Sequence, residues 1–407
     1  MFRIFVLVLL NLSFVTATVL ENGQPRLNPY PGQAPLLEFG LDDSWNVYDA
    51  DAEEISYKGR WDDKHISWWS TAGFKFGFTG DKLALSFGEH TSNGVLVAYR
   101  IAGLDWQFAN VTANDAYEFV GPWVSGWNMT DASVQRAFEL RVQLASVAVA
   151  PDAAIYKIEP FPKMVEIIGD SLSSGDFATY EGLSSWAYLF AAGLGNVEYS
   201  ITAYPGICLH DRNCWGNPRG QSYQYYRTSD TSPRAYEIYG EDHPNWDFSS
   251  QQPADLVVIN IGTNDNNPAI NVPGTDYYND YVQLVESLHA IWPDAQVVLM
   301  SLWGGFGWSE TTNTYEQGPL YVEEIRAVVE HFQSSRSTGE SFVHYFDTSG
   351  ILQANDIAPQ WHPTDVGHIK VAAHFMQWVK IKFGWEMEAT GPMVHSGTLY
   401  WNDQDGY

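Results

Sequence analysis

The chain has 407 residues, of which 45% are apolar, 17% charged and 15% aromatic, a composition that excludes disordered, collagen-like and coiled-coil proteins. The 49 acidic residues outnumber the 21 lysines and arginines, and the formal charge of -28 would repel nucleic acid and anionic membranes at long range. We therefore expect neither nucleic acid nor a membrane as a partner. At roughly 100 to 200 residues per domain, the length predicts two domains.

Residues 1–18 have the pattern of a secretory signal peptide. A basic residue, Arg3, precedes an apolar run over 4–10, and small residues follow near Ala17. This run is too short to span a membrane, and no later stretch offers about 18 consecutive apolar residues. The sequence therefore predicts a soluble, secreted, extracellular protein.

Secretion would place the chain in an oxidising compartment. There, Cys208 and Cys214 are expected to form a local disulfide, with two free buried thiols as the alternative. Because the chain has 2 cysteines, neither a disulfide scaffold nor a multi-cysteine metal site is predicted. Asn110 and Asn128 each begin an Asn-x-Thr sequon and are predicted glycosylation sites.

Residues 36–160 predict an N-terminal antiparallel β-sandwich of the jelly-roll type. Short runs of alternating apolar residues, separated by turns rich in Gly, Asp and Asn, lie at 73–78, 83–87, 94–100 and 138–142. A period of two with turns at this spacing is typical of antiparallel sheets. Pro160 and Pro162 then mark a short linker.

Residues 163–385 predict a three-layer α/β/α domain with a parallel sheet, because apolar runs now alternate with longer amphipathic patterns. The predicted strands are 164–168, 197–202, 256–261, 297–302 and 343–346, and the predicted helices are 185–192, 277–291, 319–332 and 365–382. A polar tail, 386–407, follows. Open parallel sheets bind ligands at the carboxyl ends of their strands, which is where we expect the functional residues.

Four polar segments lie at such strand ends or just before the last helix. They are Gly169-Asp170-Ser171-Leu172 after the first strand, Gly206 after the second, Gly262-Thr263-Asn264-Asp265 after the third, and Trp361-His362-Pro363 before the helix. Taken singly, each segment also fits an ordinary turn, a helix cap or a loop glycine. Together they can supply a serine nucleophile, an imidazole base and hydrogen-bond donors for an oxyanion.

This combination resembles the SGNH or GDSL hydrolase superfamily, whose site is formed by the Ser, Gly, Asn and His of four such segments. The resemblance implies that Ser171 is the nucleophile and that His362 is the general base and later the general acid. It also implies an oxyanion hole made by the N–H groups of Ser171 and Gly206 and by the side chain of Asn264. Acyl transfer through a serine needs no cofactor, and no metal-binding or dinucleotide-binding motif occurs, so neither a metal nor a cofactor is expected.

The sequence departs from the superfamily at one position. Most relatives have an aspartate three residues before the histidine, where this chain has Pro359. Asp356 and Asp365 are possible substitutes for this acid, and Asp265 is a third. We predict a dyad of the serine and the histidine, with a backbone carbonyl holding the imidazole Nδ1–H, in preference to a hidden triad.

The order of the two predicted domains narrows the resemblance to carbohydrate esterase family 2, which is similar to this chain over about residues 36–385. Supporting residues are Gly59-Arg60, the hairpin near 74–85, and Gly367-His368 after the histidine segment. Members of that family remove acetyl groups from plant polysaccharides such as xylan and glucomannan, and some lack the catalytic acid. The resemblance therefore implies an acetylated polysaccharide as the substrate. The oligomeric state is left open.

The 17 tryptophans independently favour a sugar substrate, since flat indole rings provide stacking surfaces. Trp361 lies beside His362, and Trp303 and Trp308 follow the fourth predicted strand, so all three are candidate substrate contacts. Packing in the core is the alternative for each of them.

Two other functions stay open at this point. One is a related esterase that acts on lipids or small esters, and the other is a carbohydrate-binding protein with an inactive hydrolase domain. A histidine without a carboxylate partner titrates near pH 6.5, so we expect an active enzyme to lose activity between about pH 7 and 5.5 as its base is protonated.

Overall fold

The computed structural model describes residues 34–101, 106–121, 132–136, 142–334, 341–357 and 361–388, with two short strands before them. The predicted signal peptide, Asn128, Pro359, most of the 138–142 strand and the tail beyond residue 388 lie outside the described residues.

The elements are numbered in chain order. The strands are β1 (Leu20–Glu21), β2 (Gln24–Pro25), β3 (Asn46–Asp49), β4 (Ser56–Trp61), β5 (Ser67–Phe78), β6 (Leu83–Phe87), β7 (Val95–Ile101), β8 (Gln107–Val111), β9 (Ala116–Val120), β10 (Ala132–Arg136), β11 (Leu144–Val149), β12 (Ile155–Tyr156), β13 (Lys163–Gly169), β14 (Val197–Ala203), β15 (Leu256–Asn260), β16 (Gln296–Met300), β17 (Leu302–Ser309), β18 (Thr314–Leu320) and β19 (Val343–Phe346). The helices are α1 (Ser171–Ser174), α2 (Trp186–Leu194), α3 (Gln221–Gln224), α4 (Pro233–Tyr239), α5 (Thr263–Asn266), α6 (Gly274–Ile291), α7 (Val322–Ser334) and α8 (Asp365–Phe383). Short 3-10 segments lie at Glu181–Ser184, Phe248–Ser250 and Ala354–Asp356.

Parallel strands form the centre of the largest sheet, in the order β19-β16-β15-β13-β14. This confirms the parallel sheet that the apolar runs after residue 163 predict. Because β13 lies between β14 and β15, the chain continues to one side of β13 to form β14 and then returns to its other side to form β15. A crevice opens where the direction changes, at the carboxyl ends of β13 and β15. Gly169 at the end of β13 pairs with Asn260 of β15, so the segments that follow these two strands start side by side.

The sheet continues past β14 into antiparallel strands. The long strand β5 is buried along its whole length and pairs with β14 where Ser70 meets Ile201. On its other side β5 pairs with β10, and β7 and β8 follow, while β4 and β12 also pair with β5. The molecule therefore has a mixed α/β fold with a central mixed sheet.

A second antiparallel sheet, in the order β3-β11-β6-β9, shares an apolar cluster with these strands. Phe74 and Phe76 point to one side of β5 because strand side chains alternate, and they join Leu85 and Val147 of the second sheet in this cluster. Full burial of such a side chain is worth about 1.5–3 kcal/mol. The jelly-roll topology and the domain boundary near residue 160 stay predictions.

Helices cover both faces of the parallel strands. On one face α2 and α8 meet where Trp186 packs edge-on against Phe375. On the other face lie α6 and α7, and α7 buries the residues expected of an amphipathic helix, namely Ile325, Val328, Val329 and Phe332. No helix in the described part of the chain is long and apolar enough to span a membrane.

One region differs from the prediction. The fourth parallel strand ends at Met300, and Leu302 begins a separate antiparallel hairpin of β17 and β18. The sequence predicts a loop there and a helix from 319, whereas α7 begins at Val322. Gly304 and Gly305 hide the strand, because glycine in a strand interior lacks a side chain that would mark the alternation.

Candidate active site

Ser171 and His362, far apart in the sequence, meet at the carboxyl edge of the parallel strands. The Ser171 Oγ and His362 Nε2 atoms are 2.8 Å apart, within hydrogen-bond distance. Ser171 is the first residue of α1, and the segment with His362 leads into α8, which Thr364 caps. A hydroxyl in this position can pass its proton to the imidazole and act as a nucleophile.

The turn between β13 and α1 fixes the position of the serine. A Cβ atom on Gly169 would lie 2.2 Å from Ser173 Oγ and 3.0 Å from the Asn260 carbonyl oxygen, so no larger residue fits there. Asp170 caps α1 by accepting a hydrogen bond from the Leu172 N–H at 3.0 Å. Burial raises the pKa of the Asp170 carboxyl to about 7.

Three groups of hydrogen-bond donors border the cleft that Ser171 lines. Gly206 and Asn264 line the same cleft. Among the described residues, the backbone N–H groups of Ser171 and Gly206 donate to no other protein group. The Asn264 amide donates to the Ile207 carbonyl at 2.9 Å, which fixes its orientation and leaves its second hydrogen for another acceptor. Donors of this kind stabilise an oxyanion.

A buried carboxylate holds the loop that carries Gly206. Asp265 accepts hydrogen bonds from the N–H groups of Leu209 at 2.8 Å and His210 at 2.9 Å. Burial raises the pKa of the Asp265 carboxyl to about 6. Asp265, one of the three candidate acids of the sequence analysis, therefore supports the glycine loop.

The other two candidate acids also have partners of their own. The Asp356 carboxylate accepts the Gln353 N–H at 2.9 Å and pairs with Lys370 Nζ at 2.6 Å. Asp365 Oδ1 accepts the Thr179 N–H at 2.8 Å. The Asp356 carboxylate is therefore engaged with a backbone N–H and a lysine, and the Asp365 carboxylate with a backbone N–H.

A carboxylate that the sequence analysis misses approaches the imidazole. Asp176 Oδ2 lies 3.9 Å from His362 Nε2, and burial raises the pKa of the Asp176 carboxyl to about 6. The Asp176 N–H donates to the Ser171 carbonyl at 3.1 Å, and Gly175, with φ of 78°, ends α1. The available sequence signal is an aspartate directly after the glycine that ends the serine turn.

The cleft has a volume of about 800 Å³ and an aromatic rim. Phe177, Trp215 and Trp361 line it from three different loops, with φ values of 67°, 49° and 70°. Left-handed backbone is uncommon for bulky residues and is often found at active sites. The Phe177 ring lies 4.9 Å from the His362 ring, and Trp361 is 66% exposed. The rim thus presents flat apolar faces to a ligand.

Cys208 and Cys214 form the disulfide that the sequence predicts. Trp215 follows directly, and a Cβ atom on Gly206 would lie 2.9 Å from the Trp215 Cβ atom. The Asn217 side chain donates to the Cys214 carbonyl at 3.2 Å. The disulfide loop therefore brings Trp215 beside Gly206, a contact that the sequence analysis does not identify although Trp215 adjoins a cysteine.

The structure corrects one predicted tryptophan contact. Trp303 is 2% exposed and lies in the core cluster that includes Phe346, because it belongs to β17 and not to a site-facing loop. Trp308, on the same strand, is 53% exposed and packs edge-on against Tyr315 with ring centroids 5.3 Å apart. With Trp361 it lines a separate depression of about 480 Å³.

Asn110, one of the two predicted glycosylation sites, is exposed on β8 and its amide donates to the Gly94 carbonyl at 2.8 Å. Its glycosylation stays a prediction. Within the described ranges, no group of three or more His, Cys, Asp or Glu side chains is arranged to hold a metal ion.

Comparisons with solved structures show that the fold is shared with known proteins. The acetyl xylan esterase Est2A from the rumen bacterium Butyrivibrio proteoclasticus is 16% identical, with 84% of this chain and 99% of that chain covered and a TM-score of 0.65. A family two carbohydrate esterase from Clostridium thermocellum, solved with cellohexaose, is 21% identical over 81% of this chain and 99% of that chain, with a TM-score of 0.61. The salicylyl-acyltransferase SsfX3 from a tetracycline biosynthetic pathway is 14% identical over 86% and 100%, with a TM-score of 0.60.

A search of curated proteins gives no match. Residues 167–369 match the model of the GDSL-like Lipase/Acylhydrolase family. This range holds all four polar segments, including Ser171, Gly206, Asn264 and His362, so the part of the chain that carries the candidate active site matches the GDSL-like lipase/acylhydrolase family.

Proposed function

We propose that the protein is a secreted serine esterase that removes O-acetyl groups from plant cell-wall polysaccharides such as xylan or glucomannan. The observation that carries the proposal is the 2.8 Å contact between Ser171 Oγ and His362 Nε2 at the wall of an aromatic cleft. The match of residues 167–369 to a lipase/acylhydrolase family supports ester hydrolysis, and the acetyl group and the sugar are the finer part of the proposal.

In acylation, Ser171 Oγ attacks the ester carbonyl carbon while His362 Nε2 takes the hydroxyl proton. The carbonyl electrons move to the oxygen, where the N–H groups of Ser171 and Gly206 and the amide of Asn264 stabilise the charge. The imidazolium then gives its proton to the leaving sugar oxygen, and an acetyl-serine is left. In deacylation, water repeats the sequence, releases acetate and restores the serine.

The cleft favours a sugar over a fatty acyl chain. Phe177, Trp215 and Trp361 offer flat faces for stacking, and the amides of Asn217, Asn264 and Asn267 lie among them. A volume of about 800 Å³ is within the usual range for small-ligand sites. Two carbohydrate esterases with this fold add support.

A Ser171–His362 dyad is the form of the site that we propose. The contacts of Asp356 with Lys370 and of Asp365 with Thr179 leave these two carboxylates engaged away from the imidazole. Secretion is proposed from the signal pattern in residues 1–18 and is supported by the disulfide of the folded chain.

The test compares initial rates on acetylated xylan, acetylated glucomannan and a long-chain 4-nitrophenyl ester. Release of acetate from the polysaccharides should dominate, and Ser171→Ala should abolish it while retention on the polysaccharide persists. A preference for the long-chain ester would replace the proposal with a lipid or small-ester esterase. Retention on the polysaccharide without any turnover would replace it with a carbohydrate-binding protein.

A further inference from the structure

Asp176 faces the nitrogen of His362 that receives the serine proton. Asp176 Oδ2 is 3.9 Å from His362 Nε2, and the same nitrogen is 2.8 Å from Ser171 Oγ. This spacing is too long for a hydrogen bond and short enough for a strong interaction between opposite charges. Among the described residues, the ion pairs of Asp176 include His362 and no lysine or arginine.

The backbone holds the Asp176 carboxylate in this place. The Asp176 N–H donates to the Ser171 carbonyl, and the left-handed Gly175 ends the serine turn, so the nucleophile and the carboxylate belong to one compact unit. The side chain is 32% exposed and borders the cleft, where screening by water is weaker than at an open surface. Burial raises the pKa of this carboxyl to about 6, so an ionised Asp176 gains from a positive neighbour.

We propose that Asp176 stabilises protonated His362 during acyl transfer and so supplies, from the Nε2 side, the negative charge that the chain lacks at Pro359. The inference rests on the proposed esterase function. When the serine O–H bond breaks and the proton reaches Nε2, a positive charge appears beside Asp176, which accepts no proton itself. Because it acts through His362, Asp176 is a positioning residue.

The other titratable groups near Asp176 and His362 are buried or have partners of their own. His368 of α8 is fully buried, and burial together with the nearby His362 lowers its pKa to about 3, so it stays neutral. Asp356 is paired with Lys370, and Asp365 of the α8 start accepts the Thr179 N–H. Within the described ranges, Asp176 is therefore the carboxylate whose removal should change the charge seen by the imidazole.

The test is the pH dependence of kcat/KM for Asp176→Asn with 4-nitrophenyl acetate. An opposite charge at this distance raises the pKa of a histidine, so its removal should move the acid limb to lower pH by about one unit. At pH 8 kcat should fall about 10- to 100-fold, with KM changed less than about threefold. The matched control is Asp63→Asn, which removes an equal charge from a side chain that is 86% exposed and should change neither quantity.

An acid limb that stays at the same pH in the variant would overturn the proposal. If KM for acetylated xylan also rose, the result would show that Asp176 acts on the sugar instead. NMR titration of the His362 ring gives a readout that needs no turnover, and its pKa should be lower in the variant than in the wild type. If the wild type hydrolyses no ester, the proposed function fails, while equal His362 pKa values refute the Asp176 inference separately. Asp176→Ser provides the same readouts if the asparagine variant does not fold.

Discussion

Replacing Asp170 by asparagine should flatten the pH dependence of stability. Asp170 is fully buried under the serine turn, and burial raises the pKa of its carboxyl from 3.8 to about 7. Because the pKa of Asp170 is higher in the folded state than in the unfolded state, the stability that protonated Asp170 contributes is complete below pH 3.8. It is lost as the pH rises to about 7. At about 1.4 kcal/mol per pKa unit, ionisation of the buried Asp170 lowers the free energy of unfolding by about 4 kcal/mol. About 3 kcal/mol of this loss of stability falls between pH 5 and 8.

Asparagine keeps a side-chain oxygen that can accept the Leu172 N–H, and it has no charge to bury. The measurement is the free energy of unfolding in urea at pH 5 and pH 8, followed by tryptophan fluorescence with the disulfide kept oxidised. The quantity to compare is the change between the two pH values, since a constant offset from the substitution cancels. Burial also raises the pKa of Asp265, to about 6, and this acts in the same direction. The variant should therefore keep part of the pH dependence of stability.

Asp247→Asn is the control for this experiment. Hydrogen bonds from Ser249 lower the pKa of the exposed Asp247 carboxyl, so it is ionised in both states throughout this pH range and its removal should keep the wild-type slope. If Asp170→Asn loses as much stability between pH 5 and 8 as the wild type, the buried charge at residue 170 is not the source of the slope and the reasoning is refuted.

Asn264→Ala should lower kcat on acetyl esters about 10²- to 10³-fold with little change in KM, because the proposed oxyanion hole would lose one donor. Trp361→Ala should raise KM for acetylated xylan much more than for 4-nitrophenyl acetate, since it removes a rim surface that a sugar ring needs. Trp303→Ala should instead lower the free energy of unfolding by about 3–5 kcal/mol in a urea titration. Asp356→Asn and Asp365→Asn should each keep kcat within about tenfold of the wild type, and a loss near 10⁴-fold in either would indicate a triad.

The parallel strands could be predicted because their signals are local. β15 begins with a continuous apolar run and β13 is interrupted in its middle only by Glu166, both strands are buried, and a glycine lies at or just after the end of each. The rule that parallel sheets bind ligands at the carboxyl edge then points to the segments that hold Ser171 and Asn264, and the resemblance to the SGNH superfamily assigns roles to these two residues. The order of the strands then brings their segments together without any information on side-chain contacts.

Pairings between distant segments could not be predicted in the same way. The bridge between Ser70 and Ile201 makes one sheet out of strands that the change of period assigns to two halves of the chain. Nothing in the alternation of β5 indicates that its first residues face β14. Trp69 and Thr71, with φ values of 66° and 52°, also interrupt the regular pattern of this strand.

The tryptophans show that residue type near a site does not decide exposure. Trp303 and Trp308 belong to the same strand, yet Trp303 is buried in the core while Trp308 is exposed at the hairpin. The difference arises because β17 leaves the main sheet and pairs with β18, so one end of the strand packs on the core and the other projects from it. Glycines at 304, 305 and 307 conceal this strand in the sequence.

The carboxylate beside His362 illustrates the same limit at the level of chemistry. Asp365 is the acid closest to the histidine in the sequence, but its carboxylate accepts the Thr179 N–H and so joins the start of α8 to the loop after the serine turn. That same loop carries Asp176 and Phe177, whose side chains approach the imidazole. The acid nearest in sequence therefore docks the two segments, and this docking brings an acid from the serine turn beside the imidazole, an arrangement that depends on packing and not on sequence spacing.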